Sequence, residues 1–120
     1  MKEFERGYIM GLVVGEGCFT DDAGKSPVLS INLHEDDPLP LQMIQHLLGG
    51  RIYGPYYYNG RRFRRYALRR HALSRAVPFF YRYLPQSKKR SQFLEWAERH
   101  RYIVNGRLFP DPEPDLESWL

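Results

Sequence analysis

The chain has 120 residues, of which 42% are hydrophobic and 15% aromatic, and it carries a formal net charge of +4. This composition is typical of one globular domain and excludes a disordered chain. No run of about 18 apolar residues predicts a membrane span, and residues 1–6 lack the apolar stretch of a secretory signal. The single cysteine, Cys18, cannot form a disulfide within the chain. We therefore expect an intracellular protein that does not enter a membrane.

The first third of the chain predicts a helix, two strands and the start of a second helix. Apolar positions at helical spacing predict a helix over residues 3–15, and Gly17 is a natural stop after it. A short strand is expected next. Residues 28–34 then alternate apolar and polar side chains, which predicts a strand with one buried face. Either Asp36 or Asp37 can cap the second helix, which ends at two consecutive glycines.

The middle of the chain predicts a β-hairpin. Residues 51–58 and 61–69 predict its two strands. They are joined by the dipeptide Asn59-Gly60, which strongly favours a two-residue hairpin turn. The dipeptide Gly54-Pro55 is expected to weaken or bend the first of these strands.

The last third predicts two helices and an extended tail. A third helix is expected over residues 72–83 despite Pro78, and Ser87 can cap a fourth helix. Residues 109–120 alternate prolines with acids and predict a tail outside a single domain of residues 1–108. The element order α-β-β-α-β-β-α-α predicts an α+β fold with an antiparallel sheet.

Basic residues are concentrated in the middle of the chain. From Arg51 to Arg101 there are 14 lysines and arginines and two acids, whereas the remaining positions carry four basic residues and 12 acids. This asymmetry predicts an anionic polymer as partner. Arginine favours nucleic acid because its planar guanidinium pairs with phosphate or guanine. A basic but passive surface is the alternative.

Three glycines lie four residues apart on one face of the first helix: Gly7, Gly11 and Gly15. Each costs about 1 kcal/mol relative to alanine within a helix, so the stripe needs a reason. Close approach of another helix is one, because glycine has no side chain to hold the two axes apart. The chain has no second stripe, which predicts a two-fold dimer through the same helix of a second copy. A locally loose sequence is the alternative.

Glu16 follows this stripe at the C-terminal end of the helix. The helix dipole disfavours an anion there by a few tenths to about 1 kcal/mol, so a neutralising cation is expected to help. Magnesium prefers one or two carboxylates together with phosphate oxygens and water. If two such helices cross, two copies of Glu16 meet near the axis. A glutamate on the surface at a helix end is the common alternative.

Residues 8–19, YIMGLVVGEGCF, resemble the LAGLIDADG motif, and Gly11, Gly15, Glu16 and Gly17 fall on its fixed positions. The segments INLHEDD, GGRIY, VPFF and PQSKKR resemble further segments of the LAGLIDADG homing endonucleases. The resemblance covers about residues 8–101. It implies a curved antiparallel sheet that forms a DNA-binding saddle, and magnesium-dependent cleavage of double-stranded DNA.

The resemblance also implies roles for single residues. Glu16 resembles the acid that binds the catalytic metal, with the carbonyl of Gly15 nearby, and Lys88 resembles the basic residue of the active site. One motif in the chain implies a homodimer and a near-palindromic target. Leu33 stands where many members have glutamine, whereas others have leucine followed by histidine, as in Leu33-His34. His34 either positions water or phosphate or is a solvated residue at a strand end.

If the sheet lies in the major groove, the groove-facing positions are those opposite the apolar alternation. They are Ser30, Asn32, Arg51, Tyr53, Phe63, Arg65, Ala67 and Arg69. Arginine there can read guanine and asparagine can read adenine. Arg61, Arg62 and Arg64, near the hairpin tip, are expected to contact phosphates, and His34 and Lys89 are further predicted DNA contacts. Residues 56–58 are tyrosines that either pack across the hairpin or contact DNA.

Two interpretations of function follow, and a third, a basic RNA-binding module unrelated to this family, is disfavoured by the spread of matching segments along the chain. The leading one is a homing endonuclease. The other is a catalytically inactive protein of the same fold, either a DNA-binding regulator or an RNA-splicing maturase. The presence of Glu16 and Lys88 favours the first, whereas Leu33 leaves room for the second.

Overall fold

A computed structural model describes residues 1–24, 26–34 and 36–100, so the expected tail at 109–120 and the domain end at residue 108 lie outside the described residues. The elements are α1 (Glu3–Glu16), β1 (Gly17–Asp22), β2 (Ser26–His34), α2 (Leu39–Leu48), β3 (Arg51–Tyr58), β4 (Arg61–Arg69), α3 (Arg70–Tyr83) and α4 (Lys88–His100). The predicted α-β-β-α-β-β-α-α order is confirmed. Among these helices, none is long and apolar enough to cross a membrane.

The four strands form one antiparallel sheet in the order β1-β2-β4-β3. Side chains alternate between the two faces of the sheet. The face that carries Leu29, Ile31, Tyr66 and Leu68 is buried in the core with apolar side chains of the four helices. We call the opposite face the outer face. The alternation that the sequence predicts for β2 and β4 therefore assigns their faces correctly.

An aromatic cluster joins β1 to α3 and α4. The ring of Phe19 lies 5.1 Å from the rings of Phe93 and Trp96 and 5.7 Å from that of Phe80. The indole Nε1 of Trp96 donates a hydrogen bond to the carbonyl oxygen of Thr20 at 2.8 Å. Buried aromatic pairs of this kind stabilise a core beyond their buried area alone. They hold β1, which begins directly after Glu16, against the helical layer.

The ends of the helices agree in part with the sequence. Ser87 precedes α4, and its Oγ accepts a hydrogen bond from the backbone N–H of Arg90 at 3.1 Å, so this predicted cap is confirmed. The N-cap residue of α2 is Pro38 and neither predicted aspartate. Asp37 still stabilises the start of this helix, because its Oδ1 accepts a hydrogen bond from the backbone N–H of Leu39 at 3.3 Å.

Gly17 ends α1, but not through the left-handed conformation that is usual for a glycine stop. Its φ is −75°, in the extended region. The reason for glycine is space, because a Cβ at this position would lie 2.7 Å from the carbonyl oxygen of Val13. The position therefore requires glycine for close packing of the first strand residue against the last turn of α1.

The hairpin between β3 and β4 forms as predicted. Asn59 and Gly60 both have positive φ, at 50° and 75°, as a type I′ turn requires. The expected irregularity of β3 is present as well. The register shifts between Tyr53 and Tyr56, on either side of Gly54-Pro55.

Candidate nucleic-acid interface and metal site

The outer face of the sheet collects the predicted groove-facing positions. The register places Asn32, Arg65 and Tyr53 side by side across three strands. The neighbouring rows bring the others to the same face: Ser30 with Ala67 and Arg51, Val28 with Arg69, and His34 with Phe63. Ala67 exposes only 3% of its surface, so it offers little area to a ligand. This face presents a broad surface that includes the arginines at positions 51, 65 and 69.

Polar and aromatic contacts order the centre of the outer face. The Nε of Arg65 donates a hydrogen bond to Oδ1 of Asn32 at 2.9 Å. The Arg65 guanidinium also lies 5.7 Å from the centre of the Tyr56 ring, which in turn lies 5.4 Å from that of Phe63. Tyr56 therefore packs across the hairpin, as one of the two interpretations held. Tyr57 and Tyr58 are about 70% exposed.

A second network crosses the outer face from β1 to β3. The Nε of Arg69 donates to Oδ2 of Asp22 at 2.5 Å and its Nη2 to Oδ1 at 3.3 Å. Its Nη1 donates to the hydroxyl of Tyr53 at 3.3 Å. The hydrogen bond with Arg69 lowers the pKa of Asp22, and the same bond raises the pKa of Arg69. Sequence reasoning missed Asp22, although its spacing from buried Phe19 places it on the outer face.

The arginines of the hairpin tip are divided between the two faces of the sheet. Arg61 lies opposite Tyr58, whereas Arg62 and Arg64 alternate to the helical side. Arg62 and Arg64 line a cleft with α2, and Nη1 of Arg64 donates to the carbonyl oxygen of Gly54 at 3.5 Å. The three arginines, which sequence reasoning grouped together, thus do not form one surface.

A largely apolar groove runs along the glycine stripe of α1. It is lined by Gly7, Tyr8, Gly11, Leu12, Glu16, Leu33, His34, Asp37 and Pro40. A Cβ added at Gly7, Gly11 or Gly15 would meet nothing within 4 Å, so packing within the described residues does not explain these glycines. Glu16, Leu33 and His34 all line this groove, so His34, the last residue of β2, borders both the groove and the outer face.

Lys89 lies at the junction of α1 and β1. Its Nζ donates a hydrogen bond to the carbonyl oxygen of Gly17 at 2.5 Å, and its side chain is half-buried. Lys88, the residue that the resemblance selects, is exposed at the first position of α4. The sequence could have pointed to either lysine, because they are adjacent. The packing of α4 decides which ammonium reaches the carbonyl oxygen of Gly17.

The described residues of one copy hold no cluster of three or more His, Cys, Asp or Glu side chains that could bind a metal. Glu16 is exposed, and as the last residue of α1 it follows Gly15, whose carbonyl is among those that a helix end leaves without a helical partner. A carboxylate and a free carbonyl are oxygen ligands of the kind that Mg²⁺ takes together with phosphate and water. The donor set therefore fits a magnesium site that is shared with DNA and a second carboxylate.

An antiparallel sheet with helices on one face, preceded by a glycine-striped helix that ends in an acid, is the arrangement that the resemblance implies. A sequence model of the LAGLIDADG endonuclease family matches residues 9–100. The chain belongs to this family. A search of curated proteins found no match.

Solved structures share the fold. The homing endonuclease I-TnaI is 22% identical with a TM-score of 0.65, and the alignment covers 89% of this chain and 79% of that one. The archaeal intron-encoded homing endonuclease I-Vdi141I, solved with DNA, is 26% identical with a TM-score of 0.66, covering 88% and 72%. The meganuclease I-AabMI, bound to uncleaved DNA, is 27% identical with a TM-score of 0.68. There the alignment covers 85% of this chain and 38% of I-AabMI, so this chain spans about two fifths of that protein.

Proposed function

We propose that this chain is a homing endonuclease, a site-specific enzyme that cleaves double-stranded DNA as a homodimer at a near-palindromic target. The observation that carries the proposal is the hydrogen bond from the Lys89 ammonium to the carbonyl oxygen of Gly17, the residue directly after Glu16 at the start of β1. An acid and a half-buried cation thus lie near the start of β1, in a sheet whose outer face carries Arg51, Arg65 and Arg69. The DNA-bound structures of I-Vdi141I and I-AabMI support the partner.

The outer face suits the major groove of DNA. The groove is about 12 Å wide and admits a β-ribbon, whose side chains can reach the base edges. Asn32, Arg51, Arg65 and Arg69 supply hydrogen-bond donors on this face, and Arg61 extends it at the hairpin tip. Phosphate contacts of such arginines give affinity, and their contacts with base edges give specificity.

The homodimer rests on α1. Its glycine stripe is exposed, and the apolar groove beside it ends at Glu16. A second copy of α1 on this stripe would cover the groove and bring two Glu16 carboxylates close to each other. Each copy then contributes one acid and binds one half-site of the DNA. In such a dimer one motif per chain is sufficient, and the two-fold symmetry calls for a near-palindromic target.

Different residues near the end of α1 would contribute different parts of the chemistry of phosphodiester hydrolysis. Glu16 and the Gly15 carbonyl would hold Mg²⁺, which supplies Lewis-acid stabilisation of the charge that develops on the phosphate oxygens. The Lys89 ammonium adds positive charge at the Gly17 carbonyl, one residue after Glu16, and Lys88 would extend this charge toward the DNA backbone. His34 lies in the groove with Glu16 and can orient water or phosphate, a task for which Leu33 has no polar atom.

The decisive experiment uses duplexes that span intron or intein insertion sites with near-palindromic sequence. We expect cleavage in Mg²⁺, specific binding without cleavage in Ca²⁺, and loss of cleavage in Glu16→Gln with binding retained. If wild type and Glu16→Gln cut equally well, the metal role of Glu16 is wrong. The proposal also includes that the protein promotes the mobility of an intron or intein and that it acts inside the cell.

Leu33 favours a second candidate, an inactive DNA-binding regulator or RNA-splicing maturase. It is a half-buried apolar residue at the position where, by the resemblance, many members of the family carry glutamine. Specific binding to DNA without cleavage in Mg²⁺ would select the regulator. Preferential binding to a structured intron RNA over the DNA target would select the maturase.

A further inference from the structure

One arginine on the outer face is held from two sides. Arg69, at the end of β4, reaches across β2 so that its Nε and Nη2 donate to the two carboxylate oxygens of Asp22 on β1. Its Nη1 donates to the hydroxyl of Tyr53 on β3. Val28, which lies opposite Arg69 in the register, is only 3% exposed, as expected for a residue beneath this bridge. The guanidinium is therefore fixed before any ligand arrives.

The hydrogen bonds leave one edge of this guanidinium open. A guanidinium has five N–H donors. Within residues 1–24, 26–34 and 36–100, Asp22 accepts two of them and Tyr53 accepts one. The remaining two N–H donors lie on the two terminal nitrogens of the planar group, one on Nη1 and one on Nη2. The Arg69 side chain is 34% exposed, so part of it is accessible to a ligand.

Two parallel N–H donors match the edge of one base. In the major groove guanine presents its O6 and N7 side by side as acceptors, and bidentate arginine is their most common protein partner. The Asp22 carboxylate also makes this position a poor phosphate site, because its negative charge offsets that of the guanidinium and repels a phosphate. A neutral base edge suffers no such repulsion.

We propose that Arg69 is a specificity-determining residue that recognises guanine in each half-site, and that Asp22 is the positioning residue that orients it. The inference rests on the proposed binding of DNA to the outer face. Preordering adds to the effect, since a side chain that is already immobilised loses less conformational entropy on binding. Arg65 differs, because its hydrogen-bond partner on this face is the neutral side chain of Asn32.

The test measures base preference. Wild-type protein in Ca²⁺ buffer selects duplexes from a randomised library, and dissociation constants are then measured for the selected duplex and its single-base substitutions. The two test variants are Arg69→Met and Asp22→Asn. Arg61→Met, at the hairpin tip, is the matched control because it also replaces one arginine by methionine. Each preference is a ratio of two dissociation constants for the same protein sample, so partial misfolding of a variant cancels.

We expect wild type to prefer guanine at one position of each half-site by about 10- to 100-fold. Arg69→Met should reduce this ratio to about twofold or less and leave the other positions unchanged. Asp22→Asn should reduce it severalfold while it strengthens binding to unrelated duplexes, because one negative charge is removed from the face. Arg61→Met should weaken all duplexes alike.

Each of the other possible outcomes would contradict a specific part of the proposal. If wild type selects a target but Arg69→Met keeps every base preference, the reading role of Arg69 is wrong while the proposed function stands. If Arg69→Met loses the guanine preference and Asp22→Asn keeps it in full, Asp22 has no positioning role. If wild type selects no duplex at all, both the inference and the proposed function fail.

Discussion

The ammonium of Lys89 donates a hydrogen bond to the carbonyl oxygen of Gly17, the residue that follows Glu16. This contact joins the first turn of α4 to the point where α1 ends and β1 begins. It places a half-buried positive charge on the residue that follows Glu16, in a protein whose overall charge is also positive. The same contact distinguishes Lys89 from its neighbour Lys88.

The first prediction concerns these two lysines. Lys89→Met is expected to lower the single-turnover rate of cleavage in Mg²⁺ by about 100-fold or more, the usual effect of removing one preorganised donor at a reacting phosphate or carbonyl. Lys88→Met is the matched control and should have a smaller effect, because its side chain is exposed. Binding in Ca²⁺ should change little in either variant. A larger loss in Lys88→Met would return the catalytic role to Lys88.

The second prediction concerns the dimer. Gly11→Leu should leave the single copy folded, because a Cβ at this position meets nothing within 4 Å and leucine favours a helix. It should raise the dissociation constant of the dimer at least about 100-fold by keeping two α1 helices apart. Sedimentation velocity over a concentration series measures this. Glu95→Leu, on the exposed face of α4, adds the same side chain as a control. Equal dimerisation of Gly11→Leu and wild type would refute the α1 interface.

The third prediction concerns Gly17. Gly17→Ala is expected to destabilise the fold by about 2 kcal/mol, in the range typical of overpacking, because the new Cβ would lie 2.7 Å from the Val13 carbonyl oxygen. In a domain of this size the melting temperature should fall by roughly 10 °C. Cys18→Ala, the neighbouring exposed position, should change stability by less than about 0.5 kcal/mol. Thermal unfolding of both variants measures the difference, and equal melting temperatures would contradict the steric role.

The fourth prediction concerns acid stability. The hydrogen bond from Arg69 lowers the pKa of Asp22, so this carboxylate stabilises the folded state above its ordinary pKa of about 3.9. That contribution is lost as the pH falls through the lowered pKa of the folded state. Its size is below about 1 kcal/mol, because the Asp22 side chain is 44% exposed.

Urea unfolding between about pH 2 and pH 6 tests this prediction. Asp22→Asn should be less stable than wild type at pH 6, and the difference should vanish toward pH 2. Glu95→Gln, which removes an exposed carboxylate on α4, serves as the control for the loss of one charge. A difference between Asp22→Asn and wild type that stays constant over the whole range would show that the carboxylate charge is not responsible.

Local patterns were sufficient for the order and faces of the elements. The alternation in β2 and β4 depends only on the two-residue period of a strand, and the Asn59-Gly60 turn depends only on two positive φ angles. The cap by Ser87 and the irregularity around Gly54 are equally local. The stop at Gly17 was predicted at the right residue for the wrong reason, because the close approach of Val13 depends on how the chain turns after α1.

Contacts between distant segments could not be predicted in this way. Lys89 and Gly17 are 72 positions apart, and Arg69 and Asp22 are 47 apart. Adjacent lysines differ by about 100° around a helix, so only the packing of α4 decides which one reaches the Gly17 carbonyl. The split of Arg61 from Arg62 and Arg64 follows from strand alternation. It could have been recognised in the sequence.

The sequence by itself determined the family, the sheet with one apolar and one polar face, and a glycine-striped helix that ends in Glu16, because each depends on residue type and short spacing. Only the tertiary structure decided that Lys89 contacts the Gly17 peptide and that Asp22 and Tyr53 hold Arg69. Such contacts depend on the strand order β1-β2-β4-β3 and on the packing of α4. Strand order and helix packing are set by the free energy of the whole core, to which residues far apart in the sequence contribute together.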